Sequence, residues 1–279
     1  MINGPRRCAV LGSPIAHSLS PVLHRAAYAS VGLDWSYDAR DVREADLASF
    51  LDTLDETWRG LSLTMPLKRS VVPLLDKLSE RAAQGQVANT VILEDGKRVG
   101  HNTDISGAVA AIAERVDTPV TSAVILGGGA TAASMLLALA ELGCREVTLV
   151  VRDARRARGA VEAAARHASA PVVHVRGFDE AAIPAEILVS TIPAVAQSDH
   201  VVGLAAEVAT VFDVIYDPWP TRLADFARSE GRTLVSGLDL LVHQACGQFT
   251  LMTGIGEAPV TVMREAGEHA LAGRSPHSG

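Results

Sequence analysis

Three features of the chain predict an α/β fold in two domains. Short apolar runs alternate with longer helical patterns from end to end, the signature of βαβ units and a largely parallel sheet. The pattern restarts near Ser122, after a polar crossing at Asp117-Thr118-Pro119. The length of 279 residues also exceeds the usual single-domain span of about 100–200.

Residues 7–12 read as a first strand, and Ser20-Pro21 as an N-cap followed by proline at the first helical position. Strands follow at 35–41 and 60–64, with a helix over 44–55 between them. Residues 87–93 and 98–102 flank Asp95-Gly96, a pair that accepts the positive φ of a two-residue hairpin turn. The first sheet therefore gains an antiparallel edge. A helix over 105–116 leads to the crossing. Next come a strand at 123–126, a glycine turn, a very apolar helix through Leu142 and a second strand at 146–151. Further strands are expected near 172–175, 187–190, 211–215 and 233–235, with an alanine-rich helix around 160–165. The last helical patterns, 238–252 and 259–271, add no strand and fold back onto the first domain. That makes it discontinuous, 1–118 with 238–279 around a second domain at 119–237, with a deep cleft bridged twice. Residues 273–279 read as a frayed tail.

Hydrophobic residues at 48% and charged residues at 20% place the chain among ordinary globular proteins rather than disordered ones. A net charge of −7 argues against a nucleic-acid surface or an anionic membrane as main partner, since both favour basic patches. Cys8, Cys144 and Cys246 form no CxxC pair, so the expectation is buried thiols in a reducing cytosol rather than disulfides or a structural zinc site. Residues 1–7 lack a signal-type apolar region, and no stretch approaches the roughly 18–20 apolar residues of a membrane span, so the cytoplasm is the expected location. The assembly is undecided, and a homodimer stays open.

Gly127-Gly128-Gly129-Ala130-Thr131-Ala132 sits between a strand and a helix, the context that makes a G-x-G-x-x-A pattern informative. The first glycine permits the tight turn, Gly129 lets the backbone approach a pyrophosphate, and small Ala132 allows helix to pack on sheet. N–H groups at the helix start then meet phosphate charge. The segment reads as a Rossmann-type dinucleotide site, the alternative being a glycine turn of purely structural use. After the second strand the chain reads Val151-Arg152-Asp153-Ala154-Arg155-Arg156. An acidic residue there suits the ribose 2′-OH of NAD, whereas arginines suit the 2′-phosphate of NADP. Arg152 comes first and favours NADP; Asp153 keeps NAD open, and Arg155 and Arg156 read equally as a solvated helix face.

Polar chemistry precedes that site. Leu63-Thr64-Met65-Pro66-Leu67-Lys68, Ala88-Asn89-Thr90 and Asn102-Thr103-Asp104 place a lysine, amide and hydroxyl groups and a carboxylate in one stretch, which beside a dinucleotide points to an oxidoreductase. Reducing a ketone requires a proton for the developing alkoxide, and the reverse requires a base, so Lys68 and Asp104 are the acid–base candidates. Burial favours a neutral lysine and a neighbouring carboxylate favours a charged one; sequence does not set the balance. Each residue also has an ordinary reading: Lys68 on the surface, Asn89 in a turn, Asp104 as a helix cap, Gln244 as a polar helix position, Tyr216 as a strand-end aromatic. No HExxH pattern occurs among the histidines, so no catalytic metal is expected, and no GxSxG elbow supports a hydrolase.

With Ser13-Pro14-Ile15-Ala16-His17-Ser18-Leu19-Ser20-Pro21 and Gly237-Leu238-Asp239-Leu240-Leu241-Val242-His243-Gln244-Ala245, these segments resemble shikimate dehydrogenases, in family order from Val10 to about Gly254. The resemblance implies NADPH-dependent reduction of 3-dehydroshikimate to shikimate, a step of aromatic amino acid biosynthesis, by an N-terminal substrate-binding α/β domain and a Rossmann-type NADP domain. It implies that Ser18 and Ser20, with Tyr216, bind the substrate carboxylate. Thr64, Asn89 and Gln244 would meet ring hydroxyls, and Lys68 with Asp104 would manage the proton. Glu80, Ala130, Thr131, Val214 and Gly237 are similar to cofactor-side positions, beside Gly127, Gly128 and Gly129. The family's Asn-Arg-Thr is here Val151-Arg152-Asp153, and Ser62 replaces a common asparagine. Family members favouring quinate often carry threonine at the second serine, whereas Ser20 is kept here. Quinate and an aminoshikimate remain alternative substrates, and a ligand-sensing protein without catalysis is disfavoured by intact Lys68 and Asp104.

Overall fold

The computed structural model describes residues 4–179 and 183–274, which divide into two compact units, 4–107 with 241–274 and 108–240.

The first unit is built on a sheet of order β2-β1-β3-β5-β6-β4. Its strands are β1 (Arg7–Gly12), β2 (Ser36–Asp41), β3 (Trp58–Leu63), β4 (Lys77–Leu78), β5 (Thr90–Glu94) and β6 (Lys97–His101). β1 is parallel to β2 and β3, whereas β5 runs antiparallel to both β3 and β6. All of β3 is buried, as expected for a strand covered on both faces. One face packs Leu11, Leu61 and Val91 against Leu47 and Leu51 of α2 (Leu47–Asp52) and Leu67 of α3 (Leu67–Ser70). α1 (Ser20–Ser30) sets Tyr28 against Phe249 of α10 (Gly237–Thr253), with ring centroids 5.9 Å apart. α11 (Val260–Ala272) packs on α1.

Some expectations need correction. The hairpin does turn at Asp95 and Gly96, with φ of 51° and 70°, but it is not the sheet edge. The two-residue β4 pairs outside β6 in parallel, too short to be read from side-chain alternation. The helix expected over 44–55 is a 3₁₀ turn at Glu44–Asp46 followed by α2. Ser20 is the first helical residue, not the cap: Leu19 holds that place, and Ser20 N–H bonds the Ser18 hydroxyl at 3.3 Å. A short α4 (Glu80–Gly85), capped by Ser79, adds a helix to those expected. Of the expected tail, 275–279 lie outside the described residues, and Gly273 caps α11.

The second unit has six strands in the order β12-β11-β10-β7-β8-β9, every neighbouring pair parallel. They are β7 (Ser122–Leu126), β8 (Glu146–Val150), β9 (Val172–Arg176), β10 (Ala185–Ser190), β11 (Val208–Asp213) and β12 (Thr233–Val235). Among its helices are α5 (Thr103–Ala113, shared with the first unit), α6 (Ala130–Glu141), α7 (Arg158–Arg166), α8 (Asp199–Gly203) and α9 (Arg222–Ser229). The chain starts in mid-sheet with β7 and β8, then reverses direction of growth at β10. This doubly wound order places a ligand crevice at the carboxyl ends of β7 and β10. Leu126, Leu188 and Val211 of three adjacent strands share one core with Leu204 and Leu223.

Candidate active site

Strand direction gathers the polar segments. Because β5 is antiparallel to β3, with Ser62 opposite Thr90, the carboxyl end of β3 lies beside the amino end of β5. Leu63 N–H donates to Asn89 O at 2.7 Å across that junction. β6 returns with His101 opposite Thr90, so the residues after it arrive at the same edge. The single turn of α3 is tied there by Ala88 N–H donating to Lys68 O at 2.9 Å.

Lys68 Nζ thus lies 2.6 Å from Asp104 Oδ2, with the two side chains only 14% and 6% exposed. Asn89 Nδ2 donates to Asp104 Oδ1 at 2.8 Å, to Thr103 Oγ1 at 2.9 Å and to Gln244 Oε1 at 3.3 Å. Asp104 occupies the first turn of α5, where the helix dipole favours a negative charge. A shielded ion pair repays its desolvation only when remaining lone pairs are also bonded. Here the two carboxylate oxygens divide between Lys68 and Asn89. Gln244 reaches the cluster because α10 crosses α5 at Gly107, where a Cβ would meet Gln244 N at 2.7 Å. Asn89, at 1% exposure, is therefore a buried junction rather than a turn residue.

Ser20 is buried and Ser18 half-buried beside it at the start of α1. Thr64 follows β3 directly, its N–H bonded to Leu11 O at 2.9 Å. Glu80 stands exposed on the first turn of α4, accepting from Gln84 Nε2 at 3.3 Å.

In the second unit the glycine turn follows β7 at the reversal point. Gly127 has φ +109°, and a Cβ there would meet Thr191 Oγ1 at 2.4 Å. At Gly128 a Cβ would meet Arg156 O at 2.6 Å, whereas at Gly129 nothing lies within 4 Å. The turn is thus closed on the protein side at the first two glycines and open at the third. Ala130 and Thr131 begin α6, offering main-chain N–H groups over that opening. Gly237 lies against the main chain of Val214 and Ile215, and Tyr216 follows half-buried. Arg152 and Arg156 are exposed. Arg155 instead embraces Asp153, its Nε 3.0 Å and Nη2 2.8 Å from Asp153 Oδ2. Those bonds hold the Asp153 carboxyl below the usual carboxylate range.

Residues 10–91 match the shikimate dehydrogenase substrate binding domain and residues 237–266 the shikimate 5′-dehydrogenase C-terminal domain. The shikimate dehydrogenase (NADP(+)) of Moorella thermoacetica is 36% identical across 96% of this chain and 94% of its own. The chain belongs to the shikimate dehydrogenase family. Two solved members share its fold. The Mycobacterium tuberculosis shikimate dehydrogenase superposes with a TM-score of 0.86 at 38% identity, covering 94% of this chain and 98% of the other. The Thermus thermophilus shikimate 5-dehydrogenase, solved in complex with NADP(H) and shikimate, gives 0.84 at 31% identity, covering 95% of this chain and all (100%) of the other.

Three further residues, Thr103 within the Asn102-Thr103-Asp104 segment and Asp213 and Gln248 outside the quoted segments, make buried polar contacts. Thr103 N–H donates to Asn89 Oδ1 at 2.8 Å, fixing which end of that amide faces Asp104. Asp213, at the end of β11, accepts from Thr221 Oγ1 at 2.6 Å and Gln197 Nε2 at 2.7 Å. Burial raises its pKa above 3.8 despite those bonds. Gln248, one helical turn beyond Gln244, bonds the main chain of Asn89. Its only sequence signal is the i, i+4 spacing of two glutamines on an apolar helix.

Proposed function

We propose that the protein is an NADP-dependent shikimate dehydrogenase, interconverting shikimate and 3-dehydroshikimate. The observation that carries this reading is the shielded Lys68–Asp104 pair clasped by Asn89, in a chain of this family. The glycine turn fits the cofactor: its open side at Gly129 and the N–H groups starting α6 suit a pyrophosphate, and Arg152 suits a 2′-phosphate. Held there, the cofactor would supply the hydride acceptor for oxidation and the hydride donor for reduction.

Lys68 gives its proton to the C3 oxygen as the carbonyl becomes an alkoxide, and takes the hydroxyl proton back in oxidation. Asp104 holds the ammonium in place and balances its charge. Asn89, Thr64 and Gln244 bind ring hydroxyls, and Ser18 and Ser20 hold the carboxylate, so directional bonds orient the reacting carbon. The proposed role is a cytoplasmic step of aromatic amino acid biosynthesis, with residues 1–118 and 238–279 serving substrate and 119–237 serving NADP.

Steady-state oxidation of shikimate and of quinate, each with NADP and with NAD, tests the reading. Shikimate with NADP is expected to give the highest kcat/KM. No nicotinamide reduction with any pair would remove the catalytic reading, and quinate in first place would replace the substrate.

A further inference from the structure

Behind Asn89 lies a buried polar chain that joins segments far apart in sequence. Tyr37 O–H donates to Ser62 Oγ at 2.5 Å, and Ser62 O–H donates to Gln248 Oε1 at 2.8 Å. Gln248 Nε2 donates to Thr90 Oγ1 at 3.1 Å and to Asn89 O at 3.3 Å. Thr90 O–H donates to Asn89 Oδ1 at 2.9 Å, and Asn89 Nδ2 donates to Asp104 Oδ1 at 2.8 Å. Tyr37, Ser62, Thr90, Asn89 and Gln248 are each at most 3% exposed.

The direction of this chain is forced. Asp104 as carboxylate only accepts, so Asn89 must turn its N–H groups to it and its oxygen to Thr103 N–H, which can only donate. Thr90 spends its one proton on that oxygen and is left to accept from Gln248. Asn89 O, a carbonyl that already accepts from Leu63 N–H, can only accept, so the Gln248 atom facing it is the amide nitrogen and the Gln248 oxygen faces away, toward Ser62 and the ring of His24 at 3.3 Å. With two bonds accepted and two donated, Gln248 has no capacity left. Each bond in such a one-way series polarises the next in a low-dielectric interior.

We propose that Gln248 and Thr90 are positioning residues, the hub of a one-way relay from Tyr37 that holds Asn89 on Asp104 Oδ1 and so reserves Oδ2 for Lys68. The proposal rests on the reading of Lys68, Asp104 and Asn89 as the reacting site. Its consequence is that a hydroxyl remote from substrate controls turnover through geometry. Small displacements of a reacting group cost rate steeply, up to about 100-fold for 1 Å.

Thr90→Val keeps the side-chain shape and removes the O–H, while Thr90→Ser keeps the O–H. Thr90→Val should lower kcat/KM for shikimate about tenfold with KM for NADP within about twofold of wild type, and Thr90→Ser should recover to within about threefold. Folded Thr90→Val with wild-type kcat/KM, or a loss that Thr90→Ser does not restore, would overturn the relay while leaving the activity in place. Wild type silent toward shikimate with NADP would instead overturn the site reading and the relay with it. If Thr90→Val does not fold, Tyr37→Phe carries the same test from the far end: a loss of about two- to fivefold is expected, and none would overturn the proposal.

Discussion

Lys68 Nζ and Asp104 Oδ2 lie 2.6 Å apart at the carboxyl edge of the first sheet, although 36 positions separate them in the chain. The pair forms because β5 and β6 double back, bringing Asp104 to the end of β3. Asp104→Asn would replace one acceptor by an N–H facing either the Lys68 ammonium or the Asn89 amide, donor against donor. We expect kcat to fall about 100-fold or more, read by steady-state shikimate oxidation. A loss under threefold would remove the carboxylate from the proton path.

Gly127 is confined both by φ +109° and by Thr191 Oγ1, which lies 2.4 Å from where a Cβ would stand. Gly127→Ala must shift the turn proposed to hold the cofactor. The expected result is a rise of at least about tenfold in KM for NADP together with a loss of about 1–3 kcal/mol in urea unfolding. Wild-type values for both would mean the turn relaxes freely.

Arg155 and Asp153 occupy each other, which neutralises the acid that would otherwise oppose a 2′-phosphate. Both are solvent-facing, so the pair is a matter of local charge, not of stability. Arg155→Ala should lower the ratio of kcat/KM for NADP over NAD about tenfold, and Asp153→Asn should raise it. Equal ratios in wild type and both variants would place the 2′ group elsewhere.

His24 is buried between Tyr37, stacked at 4.1 Å, and Gln248. Burial disfavours the imidazolium and pulls its pKa from 6.5 down to about 4. The unfolded chain takes up this proton below about pH 6.5 and the folded chain only near 4, so the contribution is fully present above 6.5 and is lost as pH falls through that window. The difference corresponds to about 3 kcal/mol at 1.36 kcal/mol per unit. Urea unfolding of His24→Gln should show a shallower decline in stability between those pH values, and an unchanged slope would assign the decline to other groups.

Much of the fold is legible in the sequence because it rests on local signals. Asp95-Gly96 marks its turn through positive φ, and the glycine run marks the strand-to-helix junction after β7. What escapes depends on long-range pairing. β4 is two residues whose place is set by Gly100 and Val99 on β6, and no alternation of side chains announces it. Ser20 misleads because serine before proline reads as a cap, whereas its amide is already bonded to Ser18 and it is itself the first residue of the helix. The site segments stand out by composition, but Gln248 meets Ser62 across 186 positions, and the Ser62 departure from the family's asparagine gains meaning only from that contact.

If Lys68 moves the proton at the reacting oxygen, its removal must show in the turnover of Lys68→Ala with shikimate and NADP. We expect kcat to fall about 10²–10⁴-fold with a smaller change in KM for shikimate. Near-normal kcat in a folded Lys68→Ala protein would contradict it.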